Sequence, residues 1–142
     1  MALTLYFDGA SKRNPGPAGY GFVIKDGDRV IETGHGPLGI ATNNIAEYTG
    51  LIEGLKAVAA LKPPQVMVHG DSDLVINQVF GKWKIKAPGL KPLNAQAKKL
   101  VETLSKTTKV TSRWIPREEN TEADKQSNLG VDLNRSEDVD RT

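Results

Sequence analysis

The sequence predicts an α/β domain on one five-stranded mixed sheet flanked by helices, and three observations lead there. Three β-prone runs follow one another across short turns, the apolar spacing then changes to a helical one from Asn44, and two further strand-like runs are separated by helical stretches. Strands joined by tight turns pair antiparallel, whereas strands joined through helices return parallel, so both kinds of pairing belong to one sheet.

Each element has a local reason. Residues 3–7 (LTLYF) are β-prone and read as a strand stopping at the turn pair Asp8-Gly9. Ser11 to Gly19 holds too much proline and glycine for a helix. Residues 20–25 and 29–34 then form two strands across Asp26-Gly27-Asp28, a hairpin signal. From Asn44, the residues Ile45, Tyr48, Leu51, Ile52, Leu55, Val58 and Ala59 fall on one helical face until Pro63-Pro64 stop the run. Residues 66–69 read as a short apolar strand, Leu74–Phe80 as a short helix ended by Gly81, and Leu93–Leu104 as an amphipathic helix after an irregular basic stretch. A last strand covers 110–115, and a short closing helix runs from Thr121 to Leu129. The expected domain is 1–133, with 134–142 (NRSEDVDRT) as a mobile tail because it lacks an apolar pattern.

A length of 142 residues with 38% apolar content suits one domain with a real core. Without cysteine, disulfides, thiolate zinc sites and a cysteine nucleophile are excluded, and a reducing cytoplasm is the expected compartment. No secretory signal or membrane span is expected from the first residues. Net charge is only +2, yet residues 82–113 hold nine basic side chains against Glu102 alone, so the rest of the chain is net acidic. This asymmetry suits one face that meets phosphate and another that gathers carboxylates.

Four carboxylates are candidates for chemistry, and each also has an ordinary structural explanation. Asp8 could shape a turn with Gly9, Glu47 could close a capping box with Asn44, Asp71 could cap the next helix, and Asp124 could pair with Thr121. Jointly they say more. If the first and fourth strands lie side by side and parallel, Asp8 and Asp71 end neighbouring strands, where open α/β sheets place their ligands, and Glu47 and Asp124 lie near helix starts. Four crowded carboxylates repel one another unless divalent cations neutralise them, and all-oxygen ligands suit Mg²⁺ or Mn²⁺ rather than zinc.

The segments around these residues, YFDGASKRNPGPAGYGFVI, TNNIAEYTGLIEGL, GDSDLVINQ and ENTEADKQSN, resemble type 1 ribonuclease H. The likeness is particularly to its short prokaryotic and archaeal-like branch, without a hybrid-binding domain or long basic protrusion. The resemblance spans roughly residues 3–130. It implies a ribonuclease H-like fold and a monomeric endonuclease that cuts the RNA strand of RNA/DNA hybrids with two metal ions, leaving 5′-phosphate and 3′-hydroxyl ends. In that pattern Asp8 bridges both ions, Asp124 helps hold the ion that activates water, and Glu47 with Asp71 holds the ion facing the leaving oxygen.

The same resemblance assigns substrate contacts. Asn43, Asn44, the backbone of Gly9, Ala10 and Ser11, and the Ser72-Asp73 step would lie along the minor groove and sense the 2′-hydroxyl; Asn14 joins the substrate-binding set. Thr42 and the first amides of the long helix would bind a DNA-strand phosphate. Phe80 and Trp83, beside Lys82, Lys84 and Lys86, could pack on a deoxyribose, although core or surface packing is the ordinary role of either ring. Two departures stand out: the loop before Asp124 is short and carries Arg117 where many relatives have a histidine, and residues 81–92 are brief. Arg117 cannot shuttle protons at neutral pH, so its expected role is to bind the scissile phosphate or loosen product. Neither histidine fills the gap, since His35 falls in the third strand's turn region and His69 is expected to be a satisfied core residue. A hybrid-binding domain without cleavage, or a partner-binding domain whose acidic residues merely cap helices, are the competing readings.

Overall fold

A computed structural model describes residues 2–140. The five strands are β1 (Ala2–Ser11), β2 (Gly16–Asp26), β3 (Arg29–Ala41), β4 (Gln65–Gly70) and β5 (Lys109–Trp114), in the sheet order β3-β2-β1-β4-β5. The helices are α1 (Asn43–Leu61), α2 (Asp73–Val79), α3 (Lys91–Leu104) and α4 (Thr121–Asp140). β1, β2 and β3 pair antiparallel, while β1–β4 and β4–β5 pair parallel across the helical crossovers, giving the expected mixed sheet. The hairpin turn is Gly27-Asp28, flanked by the pair Asp26–Arg29.

β1 does not stop at Asp8-Gly9. It continues to Ser11, which pairs with Ala18, so the Asp-Gly step lies inside the strand rather than in a turn. The parallel pairing of β1 with β4, however, ends at Phe7–Gly70. Asp8 and Asp71 are the next residues on the two strands, and they emerge together at the carboxyl end of the parallel pair.

Alternation along the strands separates two layers. Leu3, Leu5 and Phe7 of β1 share a core with Tyr48, Leu51, Leu55 and Val58 of α1, all essentially fully buried. α4 lies on the opposite face, against β2, β3 and β1. It is much longer than the expected Thr121–Leu129, because it packs through small and polar residues that leave no apolar periodicity. A Cβ on Gly130 would lie 2.4 Å from the Gly36 carbonyl oxygen. Asn134, expected to begin a tail, is buried: its amide donates to the Ala18 carbonyl at 2.7 Å and its oxygen accepts from the Gly39 N–H at 2.9 Å. The end of the expected tail, Arg141 and Thr142, lies outside the described residues.

His35 also differs from expectation. It sits within β3, with Nδ1 2.9 Å from Oε1 of Gln126 on α4. His69 is not a satisfied core residue, since neither ring nitrogen has a partner among the described residues and its ring meets Tyr6 edge to face at 5.1 Å. Burial and the charge of Arg113 lower its pKa, favouring neutral imidazole.

Candidate active site

One oxygen from each of Asp8, Glu47 and Asp71 lies within 4.8 Å of the others. Asp8, within β1, and Asp71, just after β4, follow the last residues of the β1–β4 pair, and the third comes from α1, which crosses β1 closely at Gly9. There a Cβ would stand 2.2 Å from the Ala46 carbonyl carbon and the Glu47 nitrogen, so only glycine lets the helix bring Glu47 onto Asp8. Asp124, on the first turn of α4, lines the same open cleft of about 420 Å³.

The ordinary explanations for these carboxylates do not survive. α1 is capped by Thr42, whose hydroxyl accepts from the Ile45 N–H at 3.2 Å, so Asn44 is inside the helix and forms no box with Glu47. α2 is capped by Ser72, which accepts from the Val75 N–H at 3.2 Å, leaving Asp71 outside the cap. Thr121 is already helical and the Asp124 N–H bonds to the Asn120 carbonyl, so Thr121 is not the cap of a box. Helix capping therefore accounts for none of Glu47, Asp71 and Asp124, and Asp8 lies within a strand rather than in a turn.

Their electrostatics are strained as a consequence. Burial, followed by the charges of Asp71 and Asp124, pushes Asp8 up to about 7 against lowering hydrogen bonds from Glu47 and the Gly9 backbone. Glu47 is raised well above the usual range, first by burial and then by the Asp8 charge. Asp71 is also raised by burial, while the Asn120 amide and Arg117 pull it down. The Glu47 Oε2 is buried without a partner among the described residues. An orphaned carboxylate oxygen among three converging hard oxygen donors fits a divalent cation of the Mg²⁺ or Mn²⁺ type.

The other expected site residues divide into those at the cleft and those away from it. Gly9, Ala10, Ser11, Asn43, Asn44, Ser72 and Arg117 line it. The Ser11 hydroxyl donates inward to the Ala41 carbonyl at 2.8 Å, tying the end of β1 to β3. Asn14 supports the cleft from outside, its side-chain oxygen accepting from the Asn43 N–H at 3.0 Å. Thr42 is occupied as the helix cap, and the exposed Asp73 accepts from the Asn77 amide at 2.7 Å. Trp83 is half exposed and shares a neighbouring groove with Lys84, Lys86 and Asn44, so Asn44 faces both depressions. Lys82 is exposed beside that groove without lining it. Phe80, which could pack on a deoxyribose, is half-buried against the apolar core.

Several further candidates for the site were not singled out in the sequence. Asn120, 1% exposed, donates to the Phe7 carbonyl at 2.9 Å and approaches the Asp71 carboxylate at 3.4 Å, thereby linking the two strand ends. The indole N–H of Trp114 donates to the Asp71 carbonyl at 3.1 Å. Ser127, fully buried, has its hydroxyl 3.4 Å from Asp8 Oδ2, and Lys12 and Asn128 complete the cleft wall. Asn120 lies within the ENTEAD stretch, and its place just before a helix could have marked it as structurally important.

The chain is similar to known proteins over most of its length. A family model described as reverse transcriptase-like matches residues 6–130. The chain is 41% identical over 134 residues to the bifunctional protein Rv2228c of Mycobacterium tuberculosis, covering 93% of this chain but only 36% of that protein's length. It is 37% identical over 148 residues to ribonuclease H of Albidiferax ferrireducens, covering 93% of this chain and 95% of the relative. Among solved structures, LC11-RNase H1, in complex with an RNA/DNA hybrid, superposes with a TM-score of 0.82 at 33% identity over 92% of this chain and 97% of the other. With the family match spanning residues 6–130, a ribonuclease H relative matched over 95% of its length, and a ribonuclease H1 structure superposing over 92% of the chain, the chain belongs to the type 1 ribonuclease H family of enzymes.

Proposed function

We propose that the chain hydrolyses the RNA strand of RNA/DNA hybrids in a reaction that requires divalent cations and leaves 5′-phosphate and 3′-hydroxyl ends. The observation that carries this reading is the convergence of Asp8, Glu47 and Asp71 to within 4.8 Å on an open cleft. The hybrid bound by the similar LC11-RNase H1 supports the substrate class. Asp8, Glu47, Asp71 and Asp124 would hold two Mg²⁺ ions, or Mn²⁺ in their place. When bound, such a pair supplies charge stabilisation to both the attacking and departing oxygens of a phosphodiester.

The chain's own polar groups do the selecting. Asn43 and Asn44 present side-chain amides at the start of α1, next to the backbone of Gly9 to Ser11 on the opposite wall. Amides and peptide groups can both donate and accept, which matches a ribose 2′-hydroxyl and finds nothing equivalent on a deoxyribose. The lysines of the neighbouring groove face phosphate, so affinity falls as salt rises.

Incubating the protein with labelled RNA/DNA hybrid, RNA duplex and DNA duplex, in Mg²⁺ or Mn²⁺, tests the reading. Cleavage confined to the RNA of the hybrid, and lost with chelator, is the expected result. Folded protein that cuts no hybrid with either metal refutes it. A Mg²⁺ titration of the melting temperature should show stabilisation, because a cation that binds only the folded cluster shifts the folding equilibrium.

Arg117 stands exposed at the cleft rim, close enough for its charge to lower the Asp71 pKa. In this reading it draws the scissile phosphate toward an otherwise acidic floor. Arg117→Ala should raise KM or lower kcat by about tenfold, the scale of one lost charge-assisted hydrogen bond. Unchanged turnover and affinity would remove Arg117 from the site.

A further inference from the structure

Behind the Trp83 groove lies a buried polar network separate from the Asp8, Glu47 and Asp71 carboxylates. Tyr48, fully buried and adjacent in sequence to Glu47, donates its hydroxyl to Gln78 Oε1 at 2.7 Å. The Asn94 amide donates to the Tyr48 oxygen and to the Gln78 backbone carbonyl, both at 3.1 Å. Gln78 and Asn94 are each only 4% exposed. The remaining Gln78 group, Nε2, donates outward to the Lys84 carbonyl at 3.4 Å. One neutral chain of hydrogen bonds therefore joins α1, α2 and α3 to the basic segment.

That segment has few other ties: Ile85 packs half-buried against the apolar core, while the residues on either side of it are exposed. Residues 82–87 form no helix or strand, and the Trp83 N–H bond to the Asn77 carbonyl at 3.2 Å is their other tie to α2. Lys84, Lys86 and Trp83 line a groove of about 560 Å³ together with Gln78 and Asn44. Flexible cations on an untethered loop lose entropy when they engage phosphate, whereas a loop fixed beforehand loses less.

We propose that Gln78 is a positioning residue for substrate binding: its amide holds the Lys82–Lys86 loop in place beside the cleft and, through Tyr48, registers it against the helix that carries Glu47. The inference rests on the hybrid-cleaving reading, since it takes the groove to receive the strand lying beside the scissile one. A buried glutamine satisfied on both sides is otherwise a poor choice for a helix face packed on an apolar core, where a leucine would fill the space without needing partners.

The test measures binding of a labelled hybrid by fluorescence anisotropy in chelator, and steady-state cleavage in Mg²⁺, for the wild type, Gln78→Met and Tyr48→Phe. Methionine keeps the length of the side chain and removes the amide; phenylalanine removes only the hydroxyl. Gln78→Met should weaken binding and raise KM by about fivefold, the scale of one lost hydrogen bond, with kcat changed less than about twofold. Tyr48→Phe should move both in the same direction by less. Lys84→Ala should weaken binding in the wild type and add little in Gln78→Met, because the loop is already released. Wild-type affinity and KM in the folded variants, a fall in kcat at constant KM, or full additivity with Lys84→Ala overturns the proposal. If Gln78→Met does not fold, Tyr48→Phe decides by the same criteria. A wild type that cleaves no hybrid refutes the functional reading itself, whereas normal cleavage with an unaltered KM in the variants rejects only the role of Gln78.

Discussion

Asp8→Asn should abolish hybrid cleavage and yet make the metal-free protein more resistant to heat at neutral pH and above. The two effects have one cause. Asp8 is 4% exposed, and burial together with Asp71 and Asp124 lifts its pKa from the ordinary carboxylate value of 3.8 to about 7. The folded state therefore keeps a proton that the unfolded chain releases near pH 4. Between those two values the native protein binds more protons than the unfolded one, so its stability decreases as pH rises. The contribution is fully present below pH 4 and gone above about 7, where the cluster carries charge that only a cation compensates. Asparagine has nearly the same shape and no charge to lose, so its metal-free melting curve should flatten across this range and lie above that of the wild type at pH 8. Added Mg²⁺ should then reverse the order, raising the wild type and leaving Asp8→Asn nearly unmoved. Loss of activity should reach about a thousandfold, well beyond the 10–100-fold typical of groups that only support a metal ligand. Activity within tenfold of wild type, or a lower melting point for the variant in chelator at pH 8, would show that Asp8 is a structural group after all.

How much of this was legible in the sequence depended on whether a signal was local. The long apolar face of α1, its stop at Pro63-Pro64 and the turn at Gly27-Asp28 needed no tertiary information, and they stand as expected. Thr42, Asn43 and Asn44 are three potential caps in a row, and local chemistry cannot choose among them. In the structure Thr42 is the cap, accepting from the Ile45 N–H. Asp8-Gly9 read as a turn because that pair commonly is one, whereas here the glycine answers to a helix that crosses the strand. α4 was underestimated for a related reason: Gly130 and Asn134 seat it on β2 and β3 by close approach and hydrogen bonding, which leaves no hydrophobic period to detect. In the site, the four carboxylates were visible because strand order alone brings two of them together. Asn120 and Trp114 were not, since their partners lie 113 and 43 residues away and neither residue type announces such a contact.

The crossing at Gly9 predicts the largest effect on the fold itself. An alanine there would set its Cβ 2.2 Å from the Ala46 carbonyl carbon and the Glu47 nitrogen, and 2.6 Å from the Ala46 oxygen. These are backbone atoms of a well-packed helix, so no rotamer change relieves the overlap and α1 as a whole must move off β1. Overpacking of this kind costs about 1–3 kcal/mol and occasionally more, and contact with rigid backbone places Gly9→Ala at or above the upper end. The chemistry should suffer beyond the loss of stability, because a helix displaced from β1 carries Glu47 away from Asp8. Folded Gly9→Ala is therefore expected to cleave hybrid poorly and to gain less in melting temperature from Mg²⁺ than the wild type. Gly27→Ala separates this steric effect from the general cost of replacing glycine. Nothing lies within 4 Å of its Cβ, but its φ of +62° is one that alanine adopts with strain. It should lose about 1 kcal/mol and cleave normally, since the turn lies at the far end of the β2–β3 hairpin from the acidic cleft. Equal stability of Gly9→Ala and wild type, with full cleavage, would mean that α1 can ride outward without moving Glu47. The close crossing would then have no part in assembling the cluster.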